Sequence, residues 1–480
     1  MALILATVSP TAPRAKVFAR TAGLSLVVGI ALAWSLRVWS SAPLVAIELA
    51  QLAVVLIILL VLRVNTGGID LFNPFVLVLF EFLLLYTLQA HLMTTGGEQF
   101  SKTFAPGMLA GRDLQVRAAV CASLALLSVT TGYFSGGLGR KTRSPDVGRV
   151  WGPRGARPEN GDFRTRRGVV IVGGLALFAT LIVTVGGPTS LVHNLYNRTT
   201  FFQGKNYFAY GPVVMFAGAA ARLMSEEAWP PRRSTGLLLG LSFGLSFLTG
   251  AKANVAIEAI LLAGIYHYSV RRLRAPMVAA LCVVLVFSSI ALDIYLRNAL
   301  PRHVSIGQAV SEAGGPQRLV TTLFASDTFF GEQAMALAVT SFPSAHRYLG
   351  VDAFTPVLLA PVPRSVYAGK PLPTAAIFTQ QFAPSFYDAG STVPATAFGE
   401  MYIAFGYVGI ILGGLALGYV LRRVYDARYR STRHLFVCVA TSALVLHYLR
   451  GEFFGVVIPG LIVGVPGLWA LDQSKPRRER

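Results

Sequence analysis

Apolar runs of membrane-spanning length recur along the whole chain, separated by short segments where arginine, lysine, glycine and proline concentrate. A helix crosses the hydrocarbon core with about 20 mainly apolar residues, and 17–25 is usual. On that rule the pattern predicts about twelve spans: Val17–Leu36, Pro43–Leu62, Pro74–Met93, Leu114–Phe134, Val169–Val185, Tyr207–Leu223, Gly236–Leu248, Ala253–Tyr268, Pro276–Leu296, Thr396–Leu421, Leu435–Leu449 and Phe453–Leu471. The seventh and eighth of these are short. The long stretch from Arg297 to Thr396 has no run of spanning length and carries Arg297, Arg302, His303, Asp327, Glu332, His346, Arg364, Lys370 and Asp388. The expected fold is an all-α, polytopic transmembrane helix bundle. Residues 1–296 form an N-terminal membrane bundle, 297–395 one large extracytoplasmic loop, and 396–480 a C-terminal membrane bundle with a basic tail.

Composition agrees with that reading. Of 480 residues 54% are hydrophobic and 13% charged, against about 25% charged in an ordinary soluble domain. The net charge of +20 raises nucleic acid as a partner, but the basic residues come as clusters between spans, and cytoplasmic loops of polytopic proteins carry such an excess. No nucleic-acid partner is expected. With the N-terminus inside, Arg140, Lys141, Arg143, Arg149 and their neighbours fall in one cytoplasmic loop, 136–168. Arg232 and Arg233, then Arg271, Arg272 and Arg274, then Arg422 to Arg433, fall in others. Both termini are thereby placed in the cytoplasm and the large loop outside. Arg14, Lys16 and Arg20 before the first apolar run have the charge order of a signal peptide, but the run is long enough to span and another follows closely, so it reads as a retained helix. Cys121, Cys282 and Cys438 all lie in predicted spans, where a thiol behaves as a small apolar group, and imply neither disulfide nor metal site. No nucleotide-binding motif and no long internal repeat is present.

The polar groups on the predicted outer side are few and mainly cationic: Arg198, Lys205, Lys252, Arg364, Lys370 and Arg450. Charge near bilayer depth needs a partner or a task. Guanidinium suits bidentate contact with phosphate oxygens, and a lipid-linked diphosphate is the anion a membrane face offers. Such cations would stabilise charge developing on a diphosphate leaving group. Structural alternatives stand beside this: Lys252 snorkelling to the interface, Arg364 and Lys370 in a solvated proline turn, Glu400 or Glu452 paired with Arg450, and His303 and His346 as surface histidines.

The ordered set Thr249-Gly250-Ala251-Lys252, Pro363-Arg364-Ser365 followed by Lys370-Pro371, Gly399-Glu400-Met401-Tyr402-Ile403-Ala404-Phe405-Gly406-Tyr407-Val408-Gly409, and Arg450-Gly451-Glu452 resembles the oligosaccharide repeat-unit polymerases of bacterial surface polysaccharides, the O-antigen polymerase group. The similarity runs from about Gly236 to the C-terminus; the first half matches only in hydropathy. It implies a multi-pass glycosyltransferase of the plasma (inner) membrane. Such an enzyme works at the outer face on undecaprenyl-diphosphate-linked oligosaccharides, without nucleotide sugar, metal or other cofactor, and with a chain-length regulator as a partner. By the same resemblance Arg364 and Arg450 hold the diphosphate, with Lys252 standing where the family commonly has arginine; lysine keeps the charge without the planar fork. Arg198, Lys370, Glu452 and Tyr402 join the substrate-binding set. Glu400 is the first choice for general base and His303 the second. An O-antigen ligase-type transferase, and a flippase or transporter of lipid-linked oligosaccharides, are the alternatives; the absence of repeated halves weighs against the latter.

Overall fold

In a computed structural model the described residues are 44–91 without 67, 112–137, 161–194, 207–278 without 227–228, and 331–471 without 361, 363–365 and 389–391, with a few isolated positions between. Twelve helices of these segments matter here: α1 (Leu44–Thr66), α2 (Pro74–His91), α3 (Arg112–Gly136), α4 (Gly161–Thr184), α5 (Gly211–Glu226), α6 (Arg233–Leu248), α7 (Lys252–Ser269), α8 (Gly331–Ser341), α9 (Thr374–Phe382), α10 (Thr396–Ala427), α11 (Thr432–Arg450) and α12 (Phe453–Ala470). No strand occurs among the described residues. Among the described residues eight helices are long and apolar enough to cross a membrane, namely α1–α5 and α10–α12. Their ends follow local chemistry: Asn73 Oδ1 accepts the Phe75 N–H at 3.0 Å and Pro74 occupies the first turn of α2, a preorganised helix start. The predicted first span, most of Pro276–Leu296, and the sites Arg198, His303 and Arg364 lie outside the described residues.

Glycine sets the closest helix contacts. In an apolar solvent the hydrophobic effect does not drive helices together, so small residues that admit close backbone approach do much of the work. Gly414 and Gly418 of α10 face Ser128 and Val129 of α3, and Gly132 of α3 faces Leu415; a Cβ at Gly418 would run into the Val129 carbonyl oxygen. Gly264 of α7 meets Val439 of α11 in the same way. Around the α3–α10 seam lie Phe75, Phe82, Tyr86, Tyr133 and Phe398, all fully buried.

Two findings depart from the expected layout. The predicted single span Thr396–Leu421 is interrupted: Phe405 (φ −141°, ψ 18°) and Gly406 (φ 64°, ψ −144°) leave helical geometry. The segment 396–404 folds back so far that a Cβ on Gly409 would strike the Met401 carbonyl oxygen and one on Gly413 would lie 2.7 Å from Met401 Sδ. Residues 396–404 are all buried, while 407–427 continues as the membrane helix. The second departure is α8. It belongs to the stretch expected as an outer loop, yet it is almost wholly buried against α2, α3 and α10.

At one end of the bundle Asp70, in the α1–α2 connection, ties that connection to α7 and α10. Its Oδ2 accepts the hydroxyls of Tyr268 (α7) at 3.0 Å and Tyr425 (α10) at 2.8 Å. Its Oδ1 accepts the Phe72 N–H at 3.1 Å and stands 3.2 Å from His267 Nε2. His267 Nδ1 accepts the Leu273 N–H, which leaves the ring proton on Nε2, toward Asp70. Burial opposes ionisation of Asp70, but His267, the Arg428 charge and the Tyr425 hydroxyl outweigh it and hold the carboxyl at about 2. A carboxyl depressed below its unfolded value contributes stability above that value and loses it as pH falls. Asp70→Asn is therefore expected to cost about 2 kcal/mol at neutral pH and to remove the drop in stability between about pH 4 and pH 2. Thermal unfolding in detergent at neutral and acid pH measures both.

Candidate functional site

The opposite end of the bundle gathers the motif residues. α7 and α11 touch where Gly264 meets Val439. Tyr268, near the C-terminus of α7, lies near Cys438 toward the N-terminus of α11, in the same core as Leu435 and bonded to Asp70, so the two helices run antiparallel. From that contact at 1.5 Å per residue, Lys252 lies about 18 Å along α7 and Arg450 about 16 Å along α11, on the same side. The start of α7 and the end of α11 thus reach the same level.

Two carboxylates lock this end. Glu400, on the re-entrant half of α10, accepts the Phe453 N–H at 2.6 Å through Oε2. Glu452 is the N-cap residue of α12 and accepts the Ala375 N–H at 2.6 Å through its own Oε2. Each carboxylate therefore sits at the first turn of a helix, α12 and α9 respectively, where unpaired amides and the helix dipole favour negative charge. Burial raises the Glu452 carboxyl to about 7 against the opposing effect of the Ala375 amide. The second oxygen of Glu400, Oε1, is buried and has no hydrogen-bond partner.

These bonds connect segments at or next to three of the four sequence motifs. Glu400 links the Gly-Glu-Met-Tyr helix to the Arg-Gly-Glu turn, and Glu452 links that turn to the segment just after Lys370-Pro371. The structural alternative of a Glu400–Arg450 or Glu452–Arg450 pair is not found; one oxygen of each carboxylate accepts a backbone amide instead. Arg450 is exposed at the C-terminus of α11, and its charge acts on Glu81, a partly buried acid of α2.

The remaining candidates divide. Lys370 Nζ donates to the carbonyls of Ala360 at 3.2 Å and Val362 at 3.1 Å. Tyr402 is buried, donates its hydroxyl to the Phe342 carbonyl at 3.2 Å and packs edge-on against Tyr348 and Tyr407, so it fastens the re-entrant segment to the end of α8. Lys252 is the first residue of α7. His346 is exposed beside Phe342. Arg198, His303 and Arg364 lie outside the described residues.

Sequence reasoning missed Glu81, which sits between Phe80 and Phe82 in the middle of an apolar helix. An acid within a span is itself a signal of function or pairing. It also missed the Thr396 turn, a β-branched residue at φ 66°, held by a 2.8 Å contact between its hydroxyl and that of Tyr86. Among the described residues no three His, Cys, Asp or Glu side chains come together as a metal site. The chain matches no family model, no curated protein and no solved structure.

Proposed function

We propose that the chain is a membrane glycosyltransferase that joins lipid-diphosphate-linked oligosaccharide repeat units into a surface polysaccharide, at the outer face of the plasma membrane. The observation that supports this reading most is the convergence, at one end of the bundle, of the Lys252 helix start, the Lys370 loop, the Glu400 half-helix and the Arg450 turn. In the proposed reaction an acceptor sugar hydroxyl attacks the anomeric carbon of the growing chain, and the bond from that carbon to the lipid diphosphate breaks. Arg450 and Arg364 take up the charge that appears on the diphosphate, the electrostatic contribution that is usually largest. Glu400 receives the hydroxyl proton on Oε1, the oxygen with no other partner. The Glu452 bond to Ala375 keeps the Arg450 turn against the start of α9.

The test is the length distribution of surface polysaccharide in a deletion strain complemented with wild type, Arg450→Ala, Arg450→Lys or Arg364→Ala, with membrane levels matched. The expected result is long chains with wild type, single lipid-linked repeats with either alanine variant, and partial length with Arg450→Lys. Unchanged long chains in Arg450→Ala remove that residue from the mechanism. Long chains that survive deletion but stay unattached favour the ligase reading.

One observation favours a second reading. A broken helix inside the bundle, of the kind formed by 396–404 and 407–427, is common where transporters bind substrate. A flippase would leave lipid-linked repeats on the cytoplasmic leaflet when deleted, whereas loss of a polymerase leaves them on the outer leaflet.

A further inference from the structure

A second polar centre lies apart from the Glu400–Glu452 clamp. Glu332 of α8 is 1% exposed, and neither of its carboxylate oxygens has a hydrogen-bond partner. Its backbone N–H donates to Gln89 Oε1 at 2.9 Å, which brings the Gln89 amide beside it with Nε2 buried and unpartnered. On α1, Glu48 is 4% exposed with Oε1 likewise unpartnered; Glu332 bonds Gln89 and Glu48 faces His91, two residues apart at one end of α2, and the two carboxylates repel each other there. Glu48 Oε2 stands 3.1 Å from Nδ1 of His91, whose side chain is half exposed at the end of α2. Around these groups Gln51 is fully engaged, donating to Ala119 O and Ser123 Oγ and accepting from Thr87.

The ordinary structural explanations fail here. A carboxylate kept charged in an apolar interior needs a cation or several donors. Among the described residues the charge acting on Glu332 is another carboxylate, and on α2 the titratable neighbour is His91, already facing Glu48. Two such acids in one site cannot both ionise cheaply; one holds a proton. The backbone also departs from the regular helix at this point. Residues Leu83–Leu88 of α2 form a π-helical turn, a feature found often at functional sites, and the start of α8 presses on it: a Cβ at Gly331 would lie 2.7 Å from Leu85 O.

We propose that Glu332 and Glu48 form a proton-binding site that exchanges with the aqueous phase through His91. A proton from water binds the imidazole, the Nδ1 proton passes to Glu48 Oε2, and the carboxyl so formed shares its proton with Glu332; release reverses the order. Imidazole can take a proton at one nitrogen and give one up at the other. The site opens on the same end of the bundle as the motif residues, and its existence does not depend on the glycosyl-transfer reading.

The experiment is labelling of the full-length protein in liposomes with dicyclohexylcarbodiimide, a reagent for protonated carboxyls in apolar surroundings, read by peptide mass spectrometry across pH. The expected result is an adduct at Glu332 that falls about tenfold per pH unit above its midpoint. In Glu48→Gln, with the like charge removed, that midpoint moves to lower pH. The wild-type protein carries the main measurement, so misfolding of a variant does not decide it. Labelling of Glu332 that stays constant from about pH 5 to about pH 10 overturns the proposal. Adducts confined to other buried acids such as Glu258 overturn it too. Labelling abolished by sodium at fixed pH and ionic strength makes the ligand a metal cation and not a proton, and overturns it as well.

Discussion

Gly406→Val is expected to lower stability by about 4 kcal/mol and to abolish function, whereas Gly464→Val, in an apolar helix of similar hydropathy, changes little. At φ 64° and ψ −144° Gly406 occupies a backbone region that is essentially glycine's alone. A Cβ there would also lie 2.7 Å from the Tyr348 hydroxyl oxygen and 2.8 Å from its ring. Gly464 of α12 has nothing within 4 Å of its Cβ position. To accept valine at 406 the chain must straighten the turn. Straightening it swings 396–404 out of the core, and with it the Glu400 bond to Phe453 and the Tyr402 bond to Phe342. Thermal unfolding of the two detergent-solubilised variants side by side measures the difference. Equal midpoints would mean that the re-entrant turn is not what holds this end of the bundle.

That turn also marks where sequence reading stops being sufficient. Hydropathy places most spans within a few residues of the observed helices: Pro43–Leu62 against α1, Leu114–Phe134 against α3, Phe453–Leu471 against α12. The reason is physical, since about 20 apolar residues in a row admit few other uses. The same criterion fails at α10. Glycines at 406, 409, 413 and 414 in an apolar run read as a packing face, and only the dihedrals separate a hinge from a seam. It fails again at α8, where Glu332 and Gln333 lower the hydropathy of a segment that three helices nevertheless enclose. The candidate site was legible in its residues but not in their bonding. Charge and order single out Glu400, Arg450 and Glu452, and an ion pair between opposite charges is the natural guess. The actual partners of the two carboxylates are the amides of Phe453 and Ala375, and a backbone N–H leaves no mark in residue type.

The Glu452 bond makes the second large effect. Its carboxyl is held at about 7 by burial, with the Ala375 amide opposing, above the ordinary value of 4.5 in the unfolded chain. The folded protein therefore binds the proton more tightly than the unfolded chain between those values, and stability falls as pH rises through that window. The integrated effect is about 3 kcal/mol, fully developed above about pH 7. Glu452→Gln keeps an oxygen to accept the Ala375 N–H but carries no charge. This variant is expected to match wild type near pH 5 and to exceed it by up to about 3 kcal/mol near pH 8. Glu452→Ala, which leaves the Ala375 amide buried and unpaired, is destabilised by about 1–3 kcal/mol at acid pH. Unfolding midpoints of the three proteins at both pH values separate charge from hydrogen bond. If Glu452→Gln melts below wild type at pH 8, the carboxylate contributes more through its charge at the α9 N-terminus than it loses by burial. The pH dependence would then have the opposite sign.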